Sequence, residues 1–148
     1  MQVTPYSNAS EGKKEQIEKM FNEIAFRYDI LNQLLSFGMH KRWRRKAIKF
    51  LQSSVIGHQS SVVLDIATGT ADFAIDAINL NPKKIIGIDI SEDMLAIGRK
   101  KVRQEKLSHI IQLLQADSEN LPFHENYFDA ATVGFGVRNF ENLEKGLS

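Results

Sequence analysis

Two short β-type runs with a small-residue turn and a helical pattern between them constrain this chain more than any other feature. The first, Val62-Val63-Leu64, stops at Asp65, and Ala67, Gly69 and Ala71 punctuate the turn that follows. The second, Lys84–Ile88, ends in Asp89, twenty residues past Gly69. Small side chains let a backbone approach a ligand closely. An acid just beyond the second strand can accept hydrogen bonds from both hydroxyls of a ribose. Such a unit folds only as a strand, a turn, a crossover helix and a second parallel strand. Its chemistry is that of a nucleoside site at the carboxyl edge of the sheet.

The pattern continues. Helices are predicted near Asp72–Leu80, stopped by Asn81-Pro82, and near Glu92–Glu105, with Ser91 as N-cap. Ile110–Leu114 reads as a third strand, Phe128–Val133 as a fourth, and Asn139–Leu147 as the start of another helix. Strands alternating with helices imply right-handed crossovers and an α/β fold with a doubly wound parallel sheet. Upstream lies a helical prefix over residues 13–61. Lys13–Arg27 carries Ile17, Met20, Phe21, Ile24 and Ala25 at helical spacing. Tyr28–Phe37 continues it to a break at Gly38, and Lys41–Gln52 forms a further helix before the polar connector Ser53–Ser61. Residues 1–12 read as a loose polar tail. Four parallel strands leave apolar edges, and the helical pattern at Gly146-Leu147-Ser148 has no cap. This reads as a C-terminal truncation, with 62–148 the first part of a larger domain and an uncovered edge open to homo-oligomer formation.

Composition excludes several classes. A net charge of +1 gives no global field for nucleic acid, and the absence of cysteine rules out thiol nucleophiles and disulfides. No apolar stretch approaches the ~20 residues that span a bilayer, and the N-terminus lacks a secretory pattern. A cytoplasmic protein is expected. The histidines show no metal-ligand spacing, and no metal is assigned.

Which cofactor the turn holds follows from its acids. A pyrophosphate needs Gly-x-Gly-x-x-Gly at a helix start, whereas position 72 is Asp. S-adenosylmethionine has a sulfonium and an amino acid end but no phosphate, so it tolerates Asp65 and Asp72, and Asp65 can receive its ammonium. Asp89 then holds the ribose, Met94 covers one face of the adenine, and Asp117 accepts from its amino group with the Ser118 amide nearby. Leu121-Pro122-Phe123 reads as a rigid loop closing over the site. Each residue also has a plain alternative: turn and helix caps for Asp65 and Asp72, a strand-end acid for Asp89, core packing for Met94, a turn acid for Asp117. Their order along the chain favours the cofactor.

At this point the chain resembles the Rossmann-like methyltransferases and, more specifically, the menaquinone/ubiquinone-biosynthesis C-methyltransferases. Tyr28–Trp43 (YDILNQLLSFGMHKRW) is similar to that family's N-terminal signature, with Leu31 where Met is usual. Val133–Phe140 (VGFGVRNF) matches its Phe-Gly-x-Arg-Asn segment. Ala71 departs from the usual glycine, and the family's second signature does not occur before Ser148. The resemblance implies cofactor contacts at Thr70, Asp89 and Asp117-Ser118. It also implies a substrate side made of Tyr28, Asp29, Asn32, His40, Arg138 and Asn139. The implied reaction is C-methylation of a demethylated isoprenoid quinol, demethylmenaquinol or its benzoquinol counterpart. His40 would be the base, Asp29 its orienter or an alternative base, and Arg138 the stabiliser of the phenolate. The alternatives are a methyltransferase for another small molecule or RNA, and a non-catalytic cofactor-binding fragment. His40–Lys46 with Lys49 is a basic run without an acid. It reads as a solvated helix face or, with Trp43 and Phe50, as a peripheral membrane contact over 41–50.

Overall fold

The computed structural model describes residues 12–36, 39–54, 61–140, 142 and 144–145. Residues 1–11 of the expected tail, the break at Gly38, most of the connector before Ser61 and the end of the last expected helix lie outside these residues.

Helix α1 (Lys13–Leu35) joins the first two helical segments into one of 23 residues. The Gly12 amide donates to Glu15 at its start (3.2 Å). Ile17 and Ala25 are buried, and α1 packs against a later helix, α4 (Glu92–Gln104). Further along the same helix Phe26, Ile30, Leu34 and Leu35 face outward. Helix α2 (Met39–Ser54) follows.

Four parallel strands come next: β1 (Val62–Ile66), β2 (Lys84–Asp89), β3 (Ile111–Gln115) and β4 (Ala130–Val133), in the order β3-β2-β1-β4. The chain steps from β1 to β2 on one side and reaches β4 on the other, which opens a crevice at the carboxyl ends of β1 and β4. Period-2 alternation sorts the strand residues. Val63, Ile85, Ile111 and Leu113 face the layer formed by α2 to α4, while Leu64, Ile66, Ile86 and Ile88 face the opposite side.

Local differences from the sequence reading have identifiable causes. The helix expected over Asp72–Leu80 is α3 (Asp72–Asp76) followed by a 3-10 turn, Ala77–Leu80, closed by Asn81 in the left-handed region at φ 54°. Helix α4 (Glu92–Gln104) is capped as expected, the Met94 amide donating to Ser91 Oγ. β4 begins at Ala130 because Phe128 joins Phe123 and Tyr127 in an aromatic cluster. Asp129 instead caps the ladder, accepting from the Val62 amide at 2.7 Å. The same cluster takes Phe123 to the second face of the sheet, so the loop expected to close over the site does not bring it there. After β4 the chain forms a 3-10 segment, Phe135–Asn139, ahead of the expected helix, within which residues 144–145 are helical. Gly136 explains the tight turn: a Cβ on it would lie 2.3 Å from that of Ala67, so only glycine lets the segment seat on the turn after β1. No described helix is long and apolar enough to cross a membrane.

Candidate active site at the carboxyl edge of the sheet

The carboxyl ends of β1 and β2 are tied by backbone. Gly69, at φ 56°, donates its amide to Asp89 Oδ2 at 2.8 Å, and the Ser91 amide donates to Oδ1 at 2.9 Å. Each oxygen of an ionised carboxylate has two acceptor positions, so these bonds orient Asp89 and leave one position on each oxygen. Burial pushes its pKa up against the pull of those amides. Asp65 is fully enclosed. Its oxygens accept from Thr68 Oγ1 at 2.6 Å and Thr132 Oγ1 at 2.7 Å. Thr132 is its register partner on β4. Burial raises the Asp65 pKa to about 6 despite both hydroxyls.

Two cavities meet here. The first is lined by Asp89, Met94, Asp117 and Ser118 from the strand ends, by Lys14, Ile17 and Phe21 from α1, and by Arg138 and Asn139 from the 3-10 segment. The second, about 310 Å³, is lined by Asn32, His40, Trp43, Arg44, Asp65 and Thr70 among others. Tyr28, Ala67, Gly69 and Phe135 belong to both and form the boundary. Sequence reading missed the α1 wall, Arg44 and Phe135. The 3-residue and 4-residue spacing of Lys14, Ile17 and Phe21 is the only hint it carried.

The α1 wall is pinned by polar contacts distant in sequence. Lys14 Nζ lies 2.7 Å from Asp117 Oδ2 and 3.1 Å from Glu119 Oε2. Burial pushes Asp117 up, but the Lys14 hydrogen bond and the Glu119 amide hold it below the usual carboxylate range. Further along, Ser91 Oγ donates to Asn22.

His40 is buried on α2, and its Nδ1 is paired with Ser36 Oγ. The Ser36 hydroxyl has one proton and gives it to the Asn32 carbonyl, at 2.6 Å. Ser36 Oγ therefore accepts from Nδ1–H, and the neutral ring carries its lone pair on Nε2. Burial first, then Arg44 and Lys41, hold the His40 pKa below its ordinary value, so the ring is neutral at pH 7. The Nδ1 of His40 is thus held by Ser36 and not by Asp29. Asp29 lines neither cavity. Thr70 Oγ1 donates to its Oδ1 at 2.6 Å, and Lys101 Nζ lies 2.7 Å from its Oδ2. Arg138 and Asn139, expected beside the substrate, line the first cavity with the cofactor residues, the Arg138 guanidinium 5.9 Å above the Phe135 ring. Trp43 packs against the same ring, with centroids 5.7 Å apart. Within the basic run, Arg44 turns inward to Asp76 (2.7 Å) and Asp72 (3.3 Å), whereas Lys41, Arg42, Arg45, Lys46 and Lys49 stay exposed.

Comparison with known proteins agrees with this layout. The model of the ubiE/COQ5 methyltransferase family matches residues 9–148. Demethylmenaquinone methyltransferase of Bacteroides fragilis is 51% identical over 148 residues, which cover 99% of this chain and 58% of that protein. The ubiquinone/menaquinone biosynthesis C-methyltransferase UbiE of Geobacter sulfurreducens is 43% identical over 99% of this chain and 56% of its own length. A Methanococcus maripaludis protein solved as a candidate S-adenosyl-L-methionine-dependent methyltransferase shares the fold, with a TM-score of 0.72 at 22% identity, over 95% of this chain and 60% of that one. The chain thus spans less than three fifths of the curated relatives it matches. With the family model matching nearly its whole length, the chain belongs to the ubiE/COQ5 methyltransferase family.

Proposed function

We propose that the full-length protein transfers a methyl group from S-adenosyl-L-methionine to a ring carbon of a demethylated isoprenoid quinol, with demethylmenaquinol as acceptor. The observation that carries this reading is the pair of adjoining cavities divided by Tyr28, Gly69 and Phe135. One side has the chemistry of an adenosine site and the other a buried neutral imidazole among aromatic walls.

The residues present fit the cofactor. Gly69 turns an open face to the first cavity: a Cβ there would meet nothing closer than Met94 Cε at 3.6 Å. Asp89 has the two acceptor positions that ribose hydroxyls need, and Asp117 with the Ser118 amide offers an acceptor and a donor to an adenine edge. When bound, S-adenosylmethionine supplies an electrophilic methyl group on a sulfonium. His40 Nε2 takes the proton of the quinol hydroxyl, which makes the adjacent ring carbon nucleophilic and adds about 10²–10⁴-fold, and the methylated carbon then releases its own C–H proton to restore the aromatic ring. Ser36 fixes the tautomer that leaves Nε2 free to do so. Tyr28 and Asn32 hold the acceptor, and the half-exposed Trp43 and Phe135 rings give it an aromatic wall. Positioning of this kind supplies at most about 7–11 kcal/mol. Arg138 acts on developing negative charge from the cofactor side of the boundary.

The acceptor is amphipathic, and the exposed basic side chains of α2 with exposed Phe50 suit peripheral contact with an anionic membrane surface. Vesicle co-sedimentation with and without anionic lipid checks that contact. The central experiment is transfer from methyl-labelled cofactor to demethylmenaquinol and demethylated benzoquinol analogues. Label on the naphthoquinol ring carbon is expected. No transfer to either quinol, or no cofactor binding at millimolar concentration, overturns the reading.

A further inference from the structure

We propose that Lys101, on α4 and outside both cavities, is a positioning residue that fastens the substrate helix α1 to the cofactor turn. Its ammonium has three N–H donors. Three acceptors surround it, each from a different element: Asp29 Oδ2 of α1 at 2.7 Å, Asp72 Oδ1 of α3 at 2.6 Å and Thr70 Oγ1 of the turn at 3.0 Å. Thr70 sends its own proton to Asp29 Oδ1 at 2.6 Å, which closes a ring around Lys101.

The ring acts through its neighbours. Asp29 adjoins Tyr28, which borders both cavities, and lies three residues before Asn32 in the second. Asp72 also meets Arg44 of α2, the helix that delivers His40. One cation therefore sets α1 against the cofactor turn and, through Asp72, against α2. Without it, Asp72 keeps its contact with Arg44, while Asp29 keeps the Thr70 hydroxyl but loses its cation. A lone aspartate released from an ion pair repels its neighbour, and α1 shifts relative to Gly69.

The inference deepens the proposed function and rests on it for the meaning of the substrate side. Its test uses Lys101→Met, Lys101→Arg and Asp29→Asn in the full-length protein. In Lys101→Met, kcat/KM for the quinol is expected to fall about 10- to 100-fold, the cost of a misplacement near 1 Å. The cofactor dissociation constant should change less than kcat/KM, because Lys101 touches none of the residues lining the first cavity and the first half of α1 keeps its own contacts through Lys14 and Asn22. Asp29→Asn should reproduce the acceptor-side loss at smaller cost to stability, and Lys101→Arg should recover part of it. Hydrogen exchange supplies a readout independent of the reaction. Amides of α1 around Asp29 should lose protection in Lys101→Met while β1 and β2 keep theirs. Wild-type protection of α1 in that variant overturns the inference whatever the acceptor proves to be. So does an equal loss of cofactor affinity and acceptor turnover. If α1 loosens as expected but the wild type methylates no quinol, the acceptor reading falls and the fastening by Lys101 stands.

Discussion

The two sides of the site are built by different means. The cofactor side rests on strand ends and on short-range backbone bonds. Asp89 is held by the Gly69 and Ser91 amides. The proposed substrate side is built from long-range pairs between helices, Asp29 with Lys101 and Arg44 with Asp72 and Asp76, and a pair of the same kind, Lys14 with Asp117 and Glu119, holds only the α1 wall of the cofactor cavity. Sheet geometry imposes the first. Only tertiary packing assembles the second, so the two sides should respond differently to substitution.

The strongest way to separate them is His40→Ala. Methyl transfer at saturating cofactor should drop by about 10²–10⁴, while calorimetry finds cofactor affinity unchanged. A parallel loss of affinity would mean that the cavities are not distinct sites. Asp89→Ala is the converse. It removes the charged acceptor of the ribose at about 1.5–3 kcal/mol per bond and orphans two amides. Two such bonds make the expected fall in cofactor affinity about 10²–10⁴-fold, again by calorimetry.

Asp65 sharpens the comparison through pH. Its folded pKa of about 6 lies above the value near 3.8 it has when unfolded, so the folded state binds the extra proton. Stability is therefore full below pH 4 and declines as pH rises through 6, by a few kcal/mol on the scale of ~1.4 per pKa unit. Chemical denaturation between pH 4 and 7 should show this decline in the wild type and a smaller one in Asp65→Asn, where the raised pKa of Asp89 remains. The smallest effect is expected at Lys14, whose ion pair is one-third exposed on both partners and is screened accordingly. Lys14→Met frees Asp117 Oδ2 for an adenine amino group. It should tighten cofactor binding by no more than about threefold, an effect that fades at high salt.

The cofactor side was legible in the sequence for a physical reason. A parallel strand must end in a turn, and an acid at a strand end has only one direction to face. Asp89, Met94, Asp117 and Ser118 line one cavity in the order the chain suggested, whereas Asp65 and Thr70, expected with them on the cofactor, line the other. The substrate side was legible only as a set of residue types. Motif position placed Asp29, His40 and Arg138 together, whereas Asp29 turns to Lys101, His40 to Ser36, and Arg138 to the cofactor cavity. Lys14 and Lys101 looked like ordinary surface lysines because their partners are 103 residues away in one case and in three separate elements in the other.

By itself the sequence determined the elements, the parallel sheet and the edge at which a ligand binds. Apolar periodicity and turn chemistry act over a few residues and need no knowledge of the rest of the chain. Only the tertiary structure decided which charges neutralise one another, which tautomer His40 holds, and that Gly136 must be glycine for the last segment to seat on Ala67. Those outcomes depend on distances between atoms far apart in the chain. A hydrogen bond or a steric overlap is settled within a few tenths of an ångström, a scale on which sequence spacing carries no information.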